Sequence, residues 1–530
     1  MSVLLGRFRP YASILVLLVV VVTVPLLASD TRTRRLASNT ALLAGAVATL
    51  SVLCGAPLAF LLSRTDIAGR RFAAIVLLAL LFLPIYLQAA AWQAGFGVQG
   101  WFTLATGAPP MVRGWQGAIA IHTLAAIPWV VLIVAVGLRL TEGELEEEAL
   151  LDGTPGQVFR RVTLRRAAET IAVAFFWVAI ATAGEMAVTD LFQIRTYAEE
   201  IYTQFALGDV QGPTTWRFVP TVIAAAWTVG LTLLVVGRIL QPARHPTQSG
   251  ATTFRLRRWR WATSALAVGT VALLVAVPAT NLAVQAGRVV TRAGDGFVRS
   301  WSAERCLAMV AGSPIRFAAE FGWTVLTGTL AATAAVAVGL PLAWSARRGG
   351  WHAAPAWSIV AVVLAMPGPL VGLGLIAVFN TPELPWLVWL YDHSIAPIWA
   401  AQTIRALPLA TLVLWFALRT VPNEVLASAT LDGATPLVRF FRIVVPQRRA
   451  AIAAAWIAAF AVAASELDAS ILVVPPGVNT LPIQIFGLIH YGVDDQVAGV
   501  SLLVMSLFLV IGAVLALLAR RAARATQPSE

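Results

Sequence analysis

The sequence predicts an all-α integral membrane protein with twelve transmembrane helices, arranged as two parallel six-helix repeats. Of its 530 residues, 59% are hydrophobic and only 12% are charged, and the mean hydropathy is +0.80. A soluble protein of this size carries about 25% charged residues, so a soluble multidomain enzyme is excluded. Apolar stretches long enough to cross a bilayer recur along the chain, and its two halves repeat at a nearly constant spacing.

A transmembrane helix needs about 20 mostly apolar residues to cross a hydrocarbon core of ~30 Å. The stretches that qualify are 11–28, 41–62, 72–91, 117–138, 170–191, 218–240, 261–279, 322–344, 356–379, 395–418, 450–473 and 499–519. The first follows Arg7 and Arg9, as a signal peptide would, but Leu26 stands where a cleavage site requires a small residue. We therefore interpret it as a retained helix.

The arginines predict the orientation of these helices, because loops on the cytoplasmic side carry an excess of positive charge. With the amino terminus inside, 26 of the 38 arginines lie in inner segments and 11 in outer ones, and Arg405 is left within a span. Both termini are then cytoplasmic, in a plasma (inner) membrane. The polar segment 280–320 is expected to form a small loop domain on the outer face.

The basic residues also exclude several functions. All 38 are arginine, and a chain without lysine cannot build a P-loop of its own. The net charge of +12 follows the membrane topology, so the expected partner is the lipid bilayer and not nucleic acid. Cys54 and Cys306 stand apart and the five histidines are scattered, so neither a disulfide framework nor a metal site is expected.

An internal duplication divides the chain into a first repeat, 1–250, and a second repeat, 251–530. The matched pairs, at spacings of 280–284 residues, are Gly55–Ala59 with Gly339–Ala343, Pro84 with Pro367, Pro128 with Pro408, and Glu185 with Glu466. Proline is restrictive inside a helix, so its recurrence at matched depths argues for duplication. Six spans per repeat make the halves parallel, which places a pathway between them. A duplicated scaffold without transport is the alternative.

The most specific feature is a loop after the fourth span of each repeat, here named loop A (140–168) and loop B (419–449). Each reads as a helix, a break and a second helix. Gly153 and Gly433 follow an aspartate and can adopt the left-handed conformation that ends a helix. Thr-Pro then restarts the helix, with threonine as N-cap and proline in the first helical position. In loop A, Gln157 completes a capping box.

Each restarted helix is predicted to present an apolar face. Phe159 and Val162 lie three residues apart, as do Phe440 and Ile443, so each pair shares a face. Such a face between charged flanks suits a groove on a partner protein. An amphipathic helix lying on the lipid headgroups is the alternative.

This pattern resembles the EAA motif of permease subunits of binding-protein-dependent ABC importers. Glu147-Glu148-Ala149 with Gly153, and Ala427-Ser428-Ala429 with Gly433, occupy the motif positions. The resemblance implies a type I importer permease fold. It also implies that each loop docks on one of two copies of an ATP-binding subunit, which hold ATP and Mg²⁺, while an extracytoplasmic solute-binding protein delivers substrate. The coupling residues are then Glu147, Glu148, Ala149, Asp152, Gly153, Phe159 and Val162 in loop A, and Ala429, Asp432, Gly433, Phe440 and Ile443 in loop B.

Fusion of two permease units in one chain looks most like the ferric-iron type of this family, with the thiamine type close behind. On that resemblance this chain binds no cofactor and is not itself an enzyme. Two other classes remain open: an ion-coupled secondary transporter, which also commonly has twelve spans, and a membrane enzyme. No nucleophile–base or metal-ligand pattern supports the enzyme.

Charged residues inside predicted spans mark a tentative substrate pathway, because a charge at mid-bilayer costs roughly 2.5–3.5 kcal/mol on insertion scales. Glu185 and Glu466 are matched, and Asp468 lies near the second of them. These carboxylates either line a vestibule for a cation such as Fe³⁺, which prefers oxygen ligands, or cap helices and pair with arginines. Arg405 is expected to pair with Glu466 or Asp468.

Overall fold

The computed structural model describes residues 31–139, 143–208, 253–293, 296–347, 349–492 and 494–524. In the first half the helices are α1 (Thr31–Arg64), α2 (Arg70–Leu80), α3 (Ile85–Phe96), α4 (Trp101–Thr106), α5 (Gly114–Arg139), α6 (Gly143–Asp152), α7 (Pro155–Val158), a π-helical turn (Phe159–Thr163), α8 (Leu164–Ala183), α9 (Ala187–Leu191) and α10 (Tyr197–Ala206). The predicted spans 11–28 and 218–240 lie outside the described residues.

The second half has a similar order of elements, with a β-hairpin and one helix inserted after its first long helix. Its elements are a 3₁₀ turn (Arg257–Trp259), α11 (Arg260–Ala286), β1 (Arg288–Ala293), β2 (Gly296–Trp301), α12 (Ala303–Arg316), α13 (Ala318–Ala346), a 3₁₀ turn (Gly350–Ala353), α14 (Ala354–Ala365), α15 (Gly368–Phe379), α16 (Pro385–His393), α17 (Ala396–Leu418), α18 (Asn423–Leu431), α19 (Pro436–Arg439), a π-helical turn (Phe440–Val444), α20 (Val445–Gln447), α21 (Arg449–Ala464), α22 (Ser470–Val473), α23 (Leu481–His490) and α24 (Asp494–Arg524).

The prediction of an all-α membrane fold is confirmed. Among the described residues, seven helices are long and apolar enough to cross a membrane, or ten when each sharply bent pair of helices counts as one span. These ten coincide with the ten predicted spans that the structure describes. The one sheet in the described chain is the hairpin of β1 and β2, in which Val290 pairs with Arg299. This hairpin and α12 form the predicted outer segment, 280–320.

Two predicted spans are not continuous helices. The span at 72–91 breaks between α2 and α3 with a bend of 105°, and the span at 356–379 breaks between α14 and α15 with a bend of 108°. Pro84 and Pro367 are the N-caps of the second helix of each pair, whereas the matched Pro128 and Pro408 lie inside continuous helices. The spans at 170–191 and 450–473 likewise end early, at Ala183 and Ala464, and resume as the short helices α9 and α22.

The two halves pack against each other through their apolar helices. One continuous core joins Leu77 and Leu80 of α2 to Val504 and Phe508 of α24. Gly512 brings α24 so close to α2 that an added Cβ would lie 2.5 Å from the Cβ of Ala79. Small residues permit this close approach of helix backbones, which is how membrane helices gain packing energy.

Candidate functional site

Loop A contains the predicted helix, break and second helix. Helix α6 ends at Asp152, and α7 begins at Pro155 after the N-cap Thr154. The backbone N–H of Thr154 donates to Oε1 of Gln157 at 3.0 Å, which is the glutamine half of the predicted capping box. Thr154 and Pro155 therefore restart the helix as the sequence indicates.

Loop B uses the predicted left-handed glycine, and loop A does not. Gly433 has φ of +78°, and the N–H of Ala434 donates to the carbonyl of Ala429 at 2.9 Å, closing the end of α18. Thr435 then accepts from the N–H of Val438 at 3.4 Å as the N-cap of α19. Gly153 lacks a positive φ, so the left-handed expectation is wrong there. Loop A is one residue shorter, so Gly153 alone stands between the end of α6 and the N-cap Thr154.

A π-helical turn follows the restart in both halves, at Phe159–Thr163 and at Phe440–Val444. Such turns are rare and are frequently found at functional sites. Phe159 packs its ring 4.3 Å from that of Phe60 in α1, and Phe440 packs 5.3 Å from Trp344 in α13. Both side chains are half-buried, so part of the face predicted for a partner contacts the protein's own helices. They anchor each loop to its own transmembrane helices.

The apolar side chains that do project from the loops are others, which the sequence reasoning missed. Leu151 is 86% exposed and Leu431 is 90% exposed, and each directly precedes the aspartate that ends its helix. In loop B, Phe441 is a further exposed apolar residue. The signal was present, because these two leucines occupy matched positions in the two repeats.

The remaining predicted loop residues divide into exposed and packed groups. The exposed residues are Glu147, Glu148, Asp152, Asp432 and Gly433, whereas Ala149, Gly153, Val162 and Ile443 are half-buried and Ala429 is buried. Each loop thus presents an exposed leucine directly followed by an exposed aspartate, Asp152 or Asp432.

The predicted intramembrane charges meet at a cavity of about 320 Å³, here named the central cavity. It lies where the helix breaks of the two halves face each other, and Glu185, Glu466, Asp468 and Arg405 all line it. Residues of both halves therefore line this cavity.

Glu185 and Glu466 cap the short helices that follow the breaks. Glu185 accepts from the N–H of Val188 at 2.9 Å and contacts Nε2 of His122 at 3.0 Å. Glu466 accepts from the N–H of Ala469 at 2.7 Å and from that of Ser470 at 2.9 Å. The sequence left open whether these carboxylates line a vestibule or cap helices. The hydrogen bonds are those of helix caps, and both carboxylates also border the cavity.

Arg405 does not form the expected ion pair with Glu466 or Asp468. Its guanidinium donates to the carbonyl of Met366 at 3.1 Å, a group freed by the break between α14 and α15. Next to that break, a Cβ added to Gly368 would lie 2.2 Å from the Cβ of Asp468. Glycine therefore brings this break directly against Asp468, a half-buried carboxylate that borders the cavity.

A histidine links the two halves at the end of the cavity region opposite the loops. Nε2 of His490 in α23 lies 3.0 Å from Oδ2 of Asp190 in α9. This hydrogen bond raises the pKa of His490 above its ordinary value. The raised pKa means that the charged pair stabilises the fold fully below about pH 6.5 and is lost as pH rises through the raised value.

We expect the loss of Tm caused by His490→Gln to be larger at about pH 6 than at about pH 9, because the wild-type histidine loses its charge as pH rises through its raised pKa. Thermal unfolding of the purified protein at both pH values measures this difference. His393→Gln is the matched control, since His393 bonds only a backbone carbonyl of its own helix. An equal loss of Tm at both pH values would contradict the ion pair.

Comparison with known proteins identifies similar chains. Over 154 residues, the chain is 27% identical to the putrescine transport system permease protein PotI of Escherichia coli K12, covering 29% of this chain and 54% of that relative. It is 25% identical to the spermidine/putrescine transport system permease protein PotC of the same strain, covering 28% and 55%. The matches therefore span about half the length of these relatives. Residues 335–526, which hold loop B and one side of the central cavity, match the family of binding-protein-dependent transport system inner membrane components.

Proposed function

We propose that this chain is the transmembrane permease subunit of an ATP-driven importer in the plasma (inner) membrane. Two copies of a separate ATP-binding subunit, holding ATP and Mg²⁺, engage loops A and B from the cytoplasm, where both termini also lie. A solute-binding protein on the outer face delivers the substrate. In this scheme the chain itself is not an enzyme.

One observation carries this proposal. Loops A and B present leucines that are 86% and 90% exposed at matched positions, each directly followed by an exposed aspartate. A single exposed leucine is ordinary on a protein surface, but its recurrence at matched positions of two similar loops suits contact with two copies of one partner. The family match at 335–526 includes loop B, and a sequence without a P-loop lysine favours ATP binding by another polypeptide.

Co-purification tests this function directly. We expect the ATP-binding protein encoded with this chain to co-purify with it in detergent when the two are expressed together. We also expect the complex to hydrolyse ATP faster when the solute-binding protein and its substrate are added. A chain that remains alone under these conditions would contradict the proposal.

For the substrate we propose a small organic cation of the polyamine class. The central cavity is bordered by three carboxylates against one arginine, and the two relatives named above transport putrescine and spermidine by their names. The resemblance to the ferric-iron type points instead to Fe³⁺. Among the described residues, however, no three His, Cys, Asp or Glu side chains are placed to hold a metal ion together.

Competition separates the two substrates. In vesicles containing the complete transporter, we expect unlabelled spermidine to suppress uptake of labelled putrescine, and ferric citrate and thiamine to leave it unchanged. Uptake of labelled iron without uptake of polyamine would assign the chain to the ferric-iron type.

A further inference from the structure

Loop A is tied to the transmembrane helices by a buried ion pair. Arg64, the last residue of α1, pairs with Glu146 of α6, and neither side chain has any exposed surface. The same guanidinium donates through its other terminal nitrogen to the carbonyl of Leu138 in α5, at 2.8 Å. One side chain thus connects the ends of two transmembrane helices to the helix that precedes the break.

The second oxygen of Glu146 extends the connection to the π-helical turn. Its Oε1 accepts from Oγ1 of Thr163 at 2.7 Å. Phe254 stacks over the guanidinium of Arg64, at 5.9 Å from its ring centroid, and contacts both Phe60 and Phe159. These aromatic rings keep water from the ion pair, so the pair acts in a low dielectric, where removal of either partner leaves an uncompensated charge.

Loop B is held differently. Arg347, at the end of α13, donates to the carbonyl of Val421 at 2.8 Å and to Oδ1 of Asn423 at 2.6 Å, and the asparagine is exposed. The residue of loop B that corresponds to Glu146 is Leu426, so this loop has no carboxylate at that position. Both of these contacts of Arg347 are made to neutral oxygens, and the one to Asn423 is open to water.

We propose that the ion pair of Arg64 and Glu146 is the positioning element through which movement of loop A is transmitted to α1 and α5. This inference rests on the proposed function. The guanidinium is planar and rigid, and its two terminal nitrogens hold α5 and α6 at once, so a displacement of α6 moves both transmembrane helices. Loop A is then coupled to the transmembrane helices through a fully buried ion pair.

The test is Glu146→Gln, measured as substrate molecules imported per ATP hydrolysed by the reconstituted complex. We expect a loss of about tenfold in this ratio, within the range of ordinary allosteric couplings.

Glu304→Gln makes the same change at an exposed outer-face glutamate and should leave the ratio unchanged. Arg347→Gln should lower it less than Glu146→Gln does. Arg64→Lys should be intermediate, because an ammonium cannot hold both acceptors in the same fixed geometry.

A double variant separates positioning from folding. Replacement of a buried ion pair by apolar residues often restores stability, so Arg64→Met combined with Glu146→Leu should recover the Tm but not the transport ratio. Recovery of both would mean that the pair only stabilises the fold, and would overturn the inference. An unchanged ratio in Glu146→Gln would overturn it as well. If the wild-type chain does not bind the ATP-binding subunit at all, that result contradicts the proposed function and not the role of the ion pair.

Discussion

Replacing Leu151 and Leu431 together by aspartate is expected to lower the affinity for each ATP-binding subunit by roughly 10- to 100-fold and to reduce uptake sharply. Burying one leucine contributes about 1.5–3 kcal/mol, and each subunit engages one loop, so each contact loses one leucine. Because both side chains are exposed in the free chain, their replacement removes no internal packing. Affinity for the ATP-binding subunit, measured in detergent, and uptake into vesicles both report the effect.

The matched control is Leu307→Asp in α12. Leu307 is 69% exposed but lies on the opposite face, in the segment between α11 and α13. We expect this variant to bind the ATP-binding subunit normally. If the double variant of loops A and B also binds normally, the exposed leucines are not the contact and the docking surface lies elsewhere.

Asp468→Asn is expected to reduce uptake of the cationic substrate while leaving the complex assembled. Asp468 borders the central cavity, and Gly368 packs closely against its Cβ atom. A hydrogen bond to a charged group contributes about 1.5–3 kcal/mol, so its loss should raise the apparent KM by roughly 10- to 100-fold. The amide keeps the size of the side chain, so the packing against Gly368 is retained.

Concentration dependence of uptake, measured with the solute-binding protein present, gives KM and the maximal rate separately. Asp392→Asn, at an exposed aspartate of α16, is the control for the loss of one negative charge. An unchanged KM in Asp468→Asn would remove this carboxylate from the substrate pathway, whatever the identity of the substrate.

Much of this architecture could be predicted because hydrophobic length and proline placement act locally. Ten predicted spans coincide with helices or bent helix pairs, and Thr154 and Thr435 cap the restarted helices where the pattern indicated. Pro84 and Pro367 stand at the breaks of the two sharply bent spans. The bends of more than 100° at these points could not be predicted, since they depend on how the opposite half packs into each break.

The side-chain roles were less accessible to sequence reasoning. Periodicity places Phe159 and Val162 on one face, but it does not say whether that face meets a partner or the protein's own α1. Glu146 stands in a run of three glutamates, and only the fold distinguishes it as the buried one, through its pairing with Arg64 from a distant part of the chain. Contacts between residues far apart in sequence decide such roles.

Uptake into vesicles under two energy sources tests the central claim most directly. Vesicles are prepared with the purified chain alone or with the chain and its ATP-binding subunits. Each is given enclosed ATP and Mg²⁺, or a proton or sodium gradient, with the solute-binding protein outside. We expect uptake only where ATP and the ATP-binding subunits are both present. Accumulation driven by an ion gradient in vesicles that contain the chain alone would contradict the account and identify a secondary transporter.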